Sequence, residues 1–223
     1  MECLKSGIDI FLKRSIQTSI VNSHTFTYKS LALADNPTQL ELNCSGHSDY
    51  YIYLNSVPLL LRIKLVKNGG SDLSSSESNK AGCVNKLLHS TFSSLSVSLN
   101  WKPVTLHETN YHYKAYHEKL LNYGSDTFGT HLVSSLWYLD SSEELKDNNC
   151  YSTPLKYIGN SQTLELYGRL RADLFNSDKT LINGVYMNIK PTRTPEAFYL
   201  SAPTNDTKVR TKILDATLSL KSN

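Results

Sequence analysis

The stretch that decides the fold is FSSLSVSLNWKPVTL, at residues 92–106. Leu95, Val97 and Leu99 alternate with serines, which is the period of two expected for a strand with one buried face. Asn100-Trp101-Lys102-Pro103 interrupts this alternation with turn residues, and the apolar residues that follow begin a returning strand. The sequence therefore predicts a β-hairpin here.

A helix is predicted directly after this hairpin. Tyr113, Tyr116, Leu120 and Tyr123 recur at steps of three and four residues, which is one stripe of an amphipathic helix. Gly124 lies where a helix is expected to stop. A hairpin followed by a short helix is a common insertion in large β-sandwiches, so this pattern indicates architecture and not chemistry.

Further strands are predicted on both sides of this region. The clearest one places Leu59, Leu61, Ile63 and Leu65 on one face. Asn183-Gly184 predicts a two-residue hairpin turn of the primed type. The other strand predictions cover 24–33, 39–43, 164–170, 180–182, 185–189, 198–200 and 209–220, the last with a bulge, while 131–139 suits helix or strand. Short strands with little helix predict an all-β fold, a single jelly-roll β-sandwich of roughly eight strands with short helical insertions.

Length and composition limit the function classes. A chain of 223 residues suits one embellished sandwich, and its net charge of +3 is too small to indicate nucleic-acid binding. The N-terminus has no apolar core typical of a signal peptide, and no apolar run is long enough to span a bilayer. The cysteines, Cys3, Cys44, Cys83 and Cys150, are scattered and are expected to be reduced, and the sequons at Asn43 and Asn205 unused.

The domain prediction is an N-terminal arm at residues 1–20 and a jelly-roll domain at 21–223. The arm has no sustained period, so a frayed terminus is the alternative. Within the domain, residues 69–82 are Ser-rich and expected to be mobile, and 140–149 form a second polar loop.

The chain also resembles the double-jelly-roll major capsid proteins of Polinton (Maverick) elements and adintoviruses, which are hexon-like. The order and spacing of many small matches carry this likeness. They are Phe92, Val97-Ser98-Leu99-Asn100, Tyr113, Ala115-Tyr116, Glu118, Leu120-Leu121-Asn122-Tyr123-Gly124, Cys3-Leu4-Lys5-Ser6, Asp9, Phe11, Gly168-Arg169, Asp173, Phe175, Leu181, Asn183-Gly184-Val185, Ala197-Phe198 and Lys212-Ile213-Leu214-Asp215-Ala216. Family members carry two jelly rolls, and this sequence corresponds to the N-terminal one.

The resemblance implies a structural capsid subunit and not an enzyme. Three full subunits of the family form a trimeric capsomer with pseudo-six-fold symmetry, so the implied partners are copies of the chain, a second jelly roll, neighbouring capsomers and minor capsid proteins. The implied location is the virion, made inside the host cell, with the nucleus as one option, without membrane contact and with weak or no direct nucleic-acid binding. The family's N-terminal arms lie at contacts beneath or between capsomers.

A search of the sequence for chemistry yields no catalytic, cofactor-binding or metal-binding residue. His107, His112 and His117 are spaced by five residues. In a helix this spacing rotates one side chain by roughly 140° from the next, so two of these histidines could not bind the same metal. Gly124-Ser125-Asp126-Thr127-Phe128-Gly129 lacks the lysine of a phosphate-binding loop, and Glu143-Glu144 lies in a polar loop. An enzymatic cupin would need a His-x-His cluster, which this sequence lacks.

Several surface features have two interpretations. The uncharged face of Ser94, Ser96 and Ser98 suits contact with a neighbouring jelly roll or plain exposure to solvent. Alternating Lys208, Arg210 and Lys212 suit a solvated strand or a genome-facing patch. Trp101 and Trp137 suit a sugar platform, although Trp101 beside its turn suits a lid on the end of the sandwich better. A lectin-like β-sandwich binding module is therefore the alternative function.

Overall fold

The computed structural model describes residues 20, 22–31, 37–46, 49–74, 82–105, 109–130, 132–138, 149–201 and 209–222. The predicted arm at 1–19, most of both polar loops (75–81 and 139–148), His107 and Lys208 lie outside the described residues. The described chain forms two main antiparallel sheets that pack around one apolar core, a small two-stranded sheet at residues 82–83 and 200–201, and short helices between the strands. This arrangement confirms the prediction of an all-β jelly-roll sandwich.

Twelve strands and five α-helical segments occur in the described residues. The strands are β1 (His24–Lys29), β2 (Leu42–Cys44), β3 (Ile52–Tyr53), β4 (Pro58–Lys67), β5 (Gly82–Cys83), β6 (Phe92–Leu99), β7 (Lys102–Pro103), β8 (Leu164–Arg169), β9 (Thr180–Leu181), β10 (Met187–Arg193), β11 (Leu200–Ser201) and β12 (Val209–Ser222). The helices are α1 (Leu87–Ser90), α2 (Tyr111–Asn122), α3 (Ser125–Phe128), α4 (Asn149–Ile158) and α5 (Glu196–Tyr199), and 3₁₀ turns cover Val133–Ser135, Gly159–Ser161 and Asp173–Asn176. The strands outnumber the predicted eight because five of them contain only two residues.

The large sheet is organised around its last strand. Its order is β8-β4-β12-β3-β9, and β1 pairs with β12 as well. β4 aligns with β12 from Lys67 opposite Val209 to Leu59 opposite Leu218, with the predicted bulge between Ile213 and Asp215. The alternation of β4 is the one predicted, because Leu59, Leu61, Ile63 and Leu65 are all buried.

The small sheet has the order β2-β10-β6-β7. Its inner face buries Leu42, Leu95, Val97 and Ile189, which join the residues of β4 in one continuous core. Burial of such apolar side chains is the main stabilising term, at roughly 1.5–3 kcal/mol for each large side chain. The alternation of serine and apolar residues in β6 therefore selects which side of this sheet faces inward.

The hairpin of β6 and β7 is confirmed, and its turn is unusually strained. Leu99 pairs with Lys102, so Asn100 and Trp101 are the two loop residues. Both have positive φ, at 47° and 69°, as a primed two-residue turn requires. Asparagine tolerates this region, whereas tryptophan is rarely found there.

The hairpin predicted at Asn183-Gly184 is wrong. The preceding strand, β9, pairs with β3 in the large sheet, whereas β10 pairs with β2 and β6 in the small one. Gly184 has φ of +73°, but Asn183 is not among the residues with positive φ. The two residues therefore form a turn that carries the chain from the large sheet to the small sheet, where β10 pairs with two strands.

Other local predictions need correction. Residues 198–200 were predicted as strand, but the single turn of α5 covers Phe198 and only Leu200 begins β11. Of the segment predicted at 131–139 as helix or strand, the described residues 132–138 contain a 3₁₀ turn at Val133–Ser135, with Leu132, Leu136 and Trp137 buried. In the first polar loop, Leu73 is buried and its N–H donates to the Ser161 hydroxyl over 2.8 Å, so this part is packed against the core.

Candidate interaction surfaces

Helix α2 presents its aromatic stripe to solvent. The predicted stripe exists, but Tyr113 is 50% exposed, and Tyr116 and Leu120 are exposed as well. The buried face carries Tyr111 and Ala115 instead. Apolar stripes of surface helices usually face the core, so this outward stripe is an unusual feature.

The inward orientation of the helix is fixed by the hydroxyl of Tyr111. This oxygen lies 2.9 Å from Nδ1 of buried His89 and accepts a hydrogen bond from the backbone N–H of Arg171 over 3.2 Å. Tyr111 is fully buried, so these hydrogen bonds satisfy a polar atom that would otherwise be costly inside the protein. The contact selects which face of α2 is turned away from solvent.

An aromatic patch results from this orientation. We define it as Tyr113, Tyr116 and Leu120 of α2 together with Phe198 of α5. The rings of Tyr113 and Phe198 pack edge to face with centroids 5.6 Å apart, and Tyr116 lies 4.9 Å from the ring of buried Trp137. Edge-to-face pairs add roughly 0.5–1.5 kcal/mol beyond burial, so the patch has a defined shape.

A groove of about 430 Å³ runs beside this patch. Val84, Ser90 and His112 line it together with the three aromatic residues of the patch. The His112 ring packs 4.3 Å from that of Phe198, and burial lowers the pKa of His112, which favours the neutral imidazole. The groove is therefore mainly apolar with few charges, as in the centre of many protein interfaces.

The outer face of the small sheet is polar and nearly uncharged. Ser94, Ser96 and Ser98 are half-buried and lie opposite Thr192, Lys190 and Asn188 of β10. Serines give up little hydration when another surface covers them, whereas lysine and glutamate give up much more. Both interpretations of this serine face, a contact surface and a solvent-exposed strand, fit this geometry.

One ion pair and its amide partner compensate the charges on this face. Lys190 Nζ lies 3.1 Å from Glu41 Oε1, and the Asn188 amide donates to the same carboxylate over 3.0 Å and to Asn43. Hydrogen bonding from Lys190, and then from Asn188, lowers the pKa of Glu41. The network leaves the face without net charge from these groups, which reduces the desolvation cost of covering it.

The hairpin tip is a third exposed feature. Trp101 is 78% exposed and stacks on Tyr186, with ring centroids 4.9 Å apart and planes 23° from parallel. Asn100 holds the tip in place: its N–H donates to the Tyr186 carbonyl, and its side-chain oxygen accepts the Tyr186 N–H. Trp101 therefore covers Tyr186 at the hairpin tip, and its position as a lid on the end of the sandwich stays a prediction, whereas Trp137 is buried and has no place on a sugar platform.

The residues considered for catalysis or metal binding are dispersed. His112 and His117 lie on α2, and no group of three or more potential metal ligands occurs among the described residues. Gly124 precedes the single turn of α3, where the Thr127 hydroxyl donates to its carbonyl over 2.6 Å. Glu143 and Glu144 lie outside the described part of the chain.

Other sequence features have simple positions in the structure. Arg210 and Lys212 are half-buried on β12, and Cys44 and Cys83 are buried cysteines in the thiol form. Burial raises the pKa of Cys44 to about 12, so this thiol is protonated and unreactive at neutral pH. Among the described residues, no helix has the length and apolarity that crossing a membrane requires.

Sequence reasoning missed the participation of Phe198 in the aromatic patch. It was assigned to a strand because its neighbours Tyr199 and Leu200 are apolar, but Pro195 places the turn of α5 there. Proline favours the first turn of a helix, so the Pro-Glu pair at 195–196 was the available signal.

Comparison with solved structures identifies the fold. No family model and no curated protein sequence matches the chain. A chain in the cryo-EM structure of the Sputnik virophage is 11% identical, with a TM-score of 0.58 over 96% of this chain and 50% of that one. A chain of the PBCV-1 virus capsid is 7% identical, with a TM-score of 0.51 over 93% of this chain and 44% of that one.

The chain matches about half of each of these solved structures. The matched capsid chains are double-jelly-roll proteins, and this chain spans about half the length of each. The resemblance seen in the sequence is thus confirmed at the level of the fold, and the structures that share the fold are structural proteins and not enzymes. The chain has the fold of one jelly roll of the double-jelly-roll major capsid proteins.

Proposed function

We propose that the chain is a structural capsid subunit, the N-terminal jelly roll of a major capsid protein of the Polinton and adintovirus type. The observation that carries this proposal is the match of the fold over 96% of the chain to half of a virophage chain. The function is then assembly and not chemistry, with no cofactor. Residues 1–20 act as an arm at subunit contacts, and residues 21–223 form the jelly roll.

In this proposal the full subunit carries a second jelly roll and forms trimers. Three pairs of jelly rolls close a ring of pseudo-six-fold symmetry, and these capsomers tile the shell of the virion. Neighbouring capsomers and minor capsid proteins are the remaining partners, and the protein is made inside the host cell, with the nucleus as one site of assembly. Direct nucleic-acid binding is weak or absent, in line with the net charge of +3.

The exposed surfaces support a role in assembly. The aromatic patch on α2 and α5 places apolar rings at the surface, and such patches mark protein contacts. The polar face of the small sheet has a compensated ion pair and half-buried serines, so it can also be covered at low cost. We assign the aromatic patch to contact with another copy of the chain or with the second jelly roll. The contacts between the rings hold the patch in one shape, which suits a specific contact.

The decisive experiment compares two lengths of the protein by size-exclusion chromatography with light scattering. We expect this chain alone to form ill-defined oligomers, because a face normally covered is exposed. Supplying the downstream jelly roll in the same polypeptide should give discrete trimers. A chain that stays strictly monomeric, with or without the second jelly roll, would contradict the capsid role and favour the lectin-like module, which a glycan array then tests.

A matched pair of variants tests the patch itself. Tyr113→Glu places a charge in the patch, whereas Tyr51→Glu alters a tyrosine of the same 50% exposure outside it. We expect Tyr113→Glu to weaken self-association at least tenfold and Tyr51→Glu to leave it unchanged. Equal association of both variants with the wild type would remove the patch from the assembly contacts.

A further inference from the structure

A second cavity, of about 560 Å³, lies beside the C-terminal end of helix α2. Its walls come from α2, from β8 and from the 132–138 segment. Asn85 holds that segment in place: its side chain donates to the Tyr138 carbonyl over 2.8 Å and accepts the Tyr138 N–H over 3.0 Å. The cavity is therefore preformed and does not depend on a loop closing over it.

Four cationic side chains line this cavity, Lys86, Lys119, Arg169 and Arg171. We call it the basic pocket and define it by Lys86, Lys119, Tyr123 and Arg171. Lys119 Nζ lies 4.1 Å from the centroid of the Tyr123 ring, and hydrogen bonding from Lys119 lowers the pKa of that phenol. The cations come from three separate segments, which is why the sequence alone gave no sign of the site.

Lys86 is an unusual member of this group because it is only 3% exposed. Its backbone is left-handed, with φ of 56°, and its Nζ donates to the carbonyl of Ala115 on α2. An ammonium has three N–H groups, so this contact uses one of them. Burial of a lysine in a strained conformation is costly, and such sites are often retained for function.

Arg171 also has unused hydrogen-bonding capacity. Its Nη1 lies 3.6 Å from Glu118 Oε2, but its buried Nε has no hydrogen-bond partner among the described residues. Leaving such a buried group without an acceptor is costly, so a ligand that accepts this N–H removes that cost. The guanidinium is well suited to a planar pair of acceptor oxygens.

The acidic side chains do not neutralise the pocket. Glu165 is the carboxylate among the described lining residues, and it pairs with Arg62 over 2.6 Å. Arg169 also lines the cavity but donates to Asn55 and to the Phe175 carbonyl. Among the described residues, Glu118 is thus the one carboxylate that pairs with a cation of the basic pocket, whereas three cations define the pocket.

The electrostatics show the consequence of this imbalance. Burial, and then the charges of Lys119 and Arg171, lower the pKa of Lys86 to about 7, with Glu118 acting in the opposite direction. The same groups and Lys86 keep His89 neutral, because burial and nearby cations lower its pKa. Among these causes, the positive charges of Lys119 and Arg171 would stabilise an anion at the same place, whereas burial disfavours a charge of either sign.

We propose that the basic pocket binds a phosphate-type oxyanion, with Lys86, Lys119 and Arg171 as its ligands. Arg171 Nε and the two lysine ammonium groups donate to the oxyanion, and the Tyr123 hydroxyl supplies a further donor. The volume exceeds that of a single phosphate, so a short polyphosphate chain fits. Such a chain has two sources, an inorganic polyphosphate and the triphosphate of a nucleotide, and Tyr138 and Tyr157 in the wall could contact a base.

Isothermal titration calorimetry of the full chain tests the proposal, with sodium tripolyphosphate and ATP as probes at constant ionic strength. We expect binding of tripolyphosphate above a sodium chloride control. Affinities for tripolyphosphate and ATP within threefold of each other would identify the phosphate chain as the recognised group. ATP binding more than tenfold tighter would identify a nucleotide.

Two variants of equal charge separate the pocket from the general surface. Lys86→Met should weaken tripolyphosphate binding at least tenfold. Lys29→Met removes a lysine whose side chain is 75% exposed outside the pocket, and should leave binding unchanged. If Lys86→Met does not fold, as judged by circular dichroism, Lys119→Met takes its place with the same expectation. No binding by the wild type, or equal losses in the pocket variant and Lys29→Met, would overturn the proposal.

Discussion

Replacing Gly46 with alanine tests how the two ends of the small sheet fit together. Gly46 follows β2 and lies against the turn that precedes β10. A Cβ atom built on Gly46 would lie 2.8 Å from the Val185 carbonyl oxygen, 2.9 Å from its nitrogen and 3.0 Å from the nitrogen of Gly184. Ordinary contacts of this kind begin at 3.4 Å, so all three atoms are too close.

The size of the effect follows from the identity of these three atoms. All are backbone atoms, so relief requires the whole turn to move and not one side chain to rotate. Overpacking of this kind costs about 1–3 kcal/mol. Alanine in place of glycine also restricts the unfolded chain, which returns about 0.4–1 kcal/mol. We therefore expect Gly46→Ala to lower the free energy of unfolding by about 1–2 kcal/mol.

Urea unfolding followed by tryptophan fluorescence measures this loss. The matched control is Gly69→Ala, because a Cβ there meets nothing within 4 Å and its φ is not positive. We expect the control to be neutral or slightly stabilising. If Gly46→Ala and Gly69→Ala unfold at the same urea concentration, the close approach of the chain at the Val185 turn is refuted.

Three further predictions concern other features. Gly184→Val should cost about 1–3 kcal/mol from its φ of +73° alone, since a Cβ there meets nothing within 4 Å; a thermal midpoint equal to that of the wild type would contradict this. Because the folded pKa of Lys86 is about 7 against an ordinary 10.5, the unfolded chain binds more protons between these values, and stability rises with pH there. Between pH 7.5 and 9.5, the free energy of unfolding measured by urea titration should rise by about 1–3 kcal/mol less in Lys86→Met than in the wild type. An equal rise in both proteins would argue against a buried charge at residue 86. Arg193→Met should cost about 2 kcal/mol or more, since buried Arg193 donates to Tyr199 and to a β12 carbonyl. Arg62→Met, which removes the exposed ion pair with Glu165, should cost about 1 kcal/mol or less. Equal losses of stability in Arg193→Met and Arg62→Met would refute the argument that the burial of Arg193 makes its hydrogen bonds more important.

The sequence predicts the strands whose burial is one-sided. β4 and β6 follow a period of two because one face of each packs on the core and the other does not. The pairing partners of these strands were not predictable. For example, β8 and β12, which pair with β4, lie more than a hundred residues away from it in the chain. For the same reason Asn183-Gly184 suggested a hairpin: local preference specifies a turn but not which sheet the next strand joins.

The candidate sites were even less accessible from sequence. The period of α2 was predicted, but a stripe does not state whether it faces the core, and here the contact of Tyr111 with His89 decides. The basic pocket depends on Lys86, Lys119 and Arg171, which have no common spacing. Such sites are defined by tertiary packing, which periodicity within one segment does not encode.

The central position of β12 has a consequence for synthesis of the protein. This strand receives β1 on one side and β4 and β3 on the other, so the first described strand and the last are hydrogen-bonded neighbours. While the ribosome is still making residues 209–222, the facing edges of β1 and β4 have no partner. The nascent jelly roll must therefore wait, with exposed strand edges, until translation has passed β12, and this interval is when aggregation or chaperone binding competes with folding.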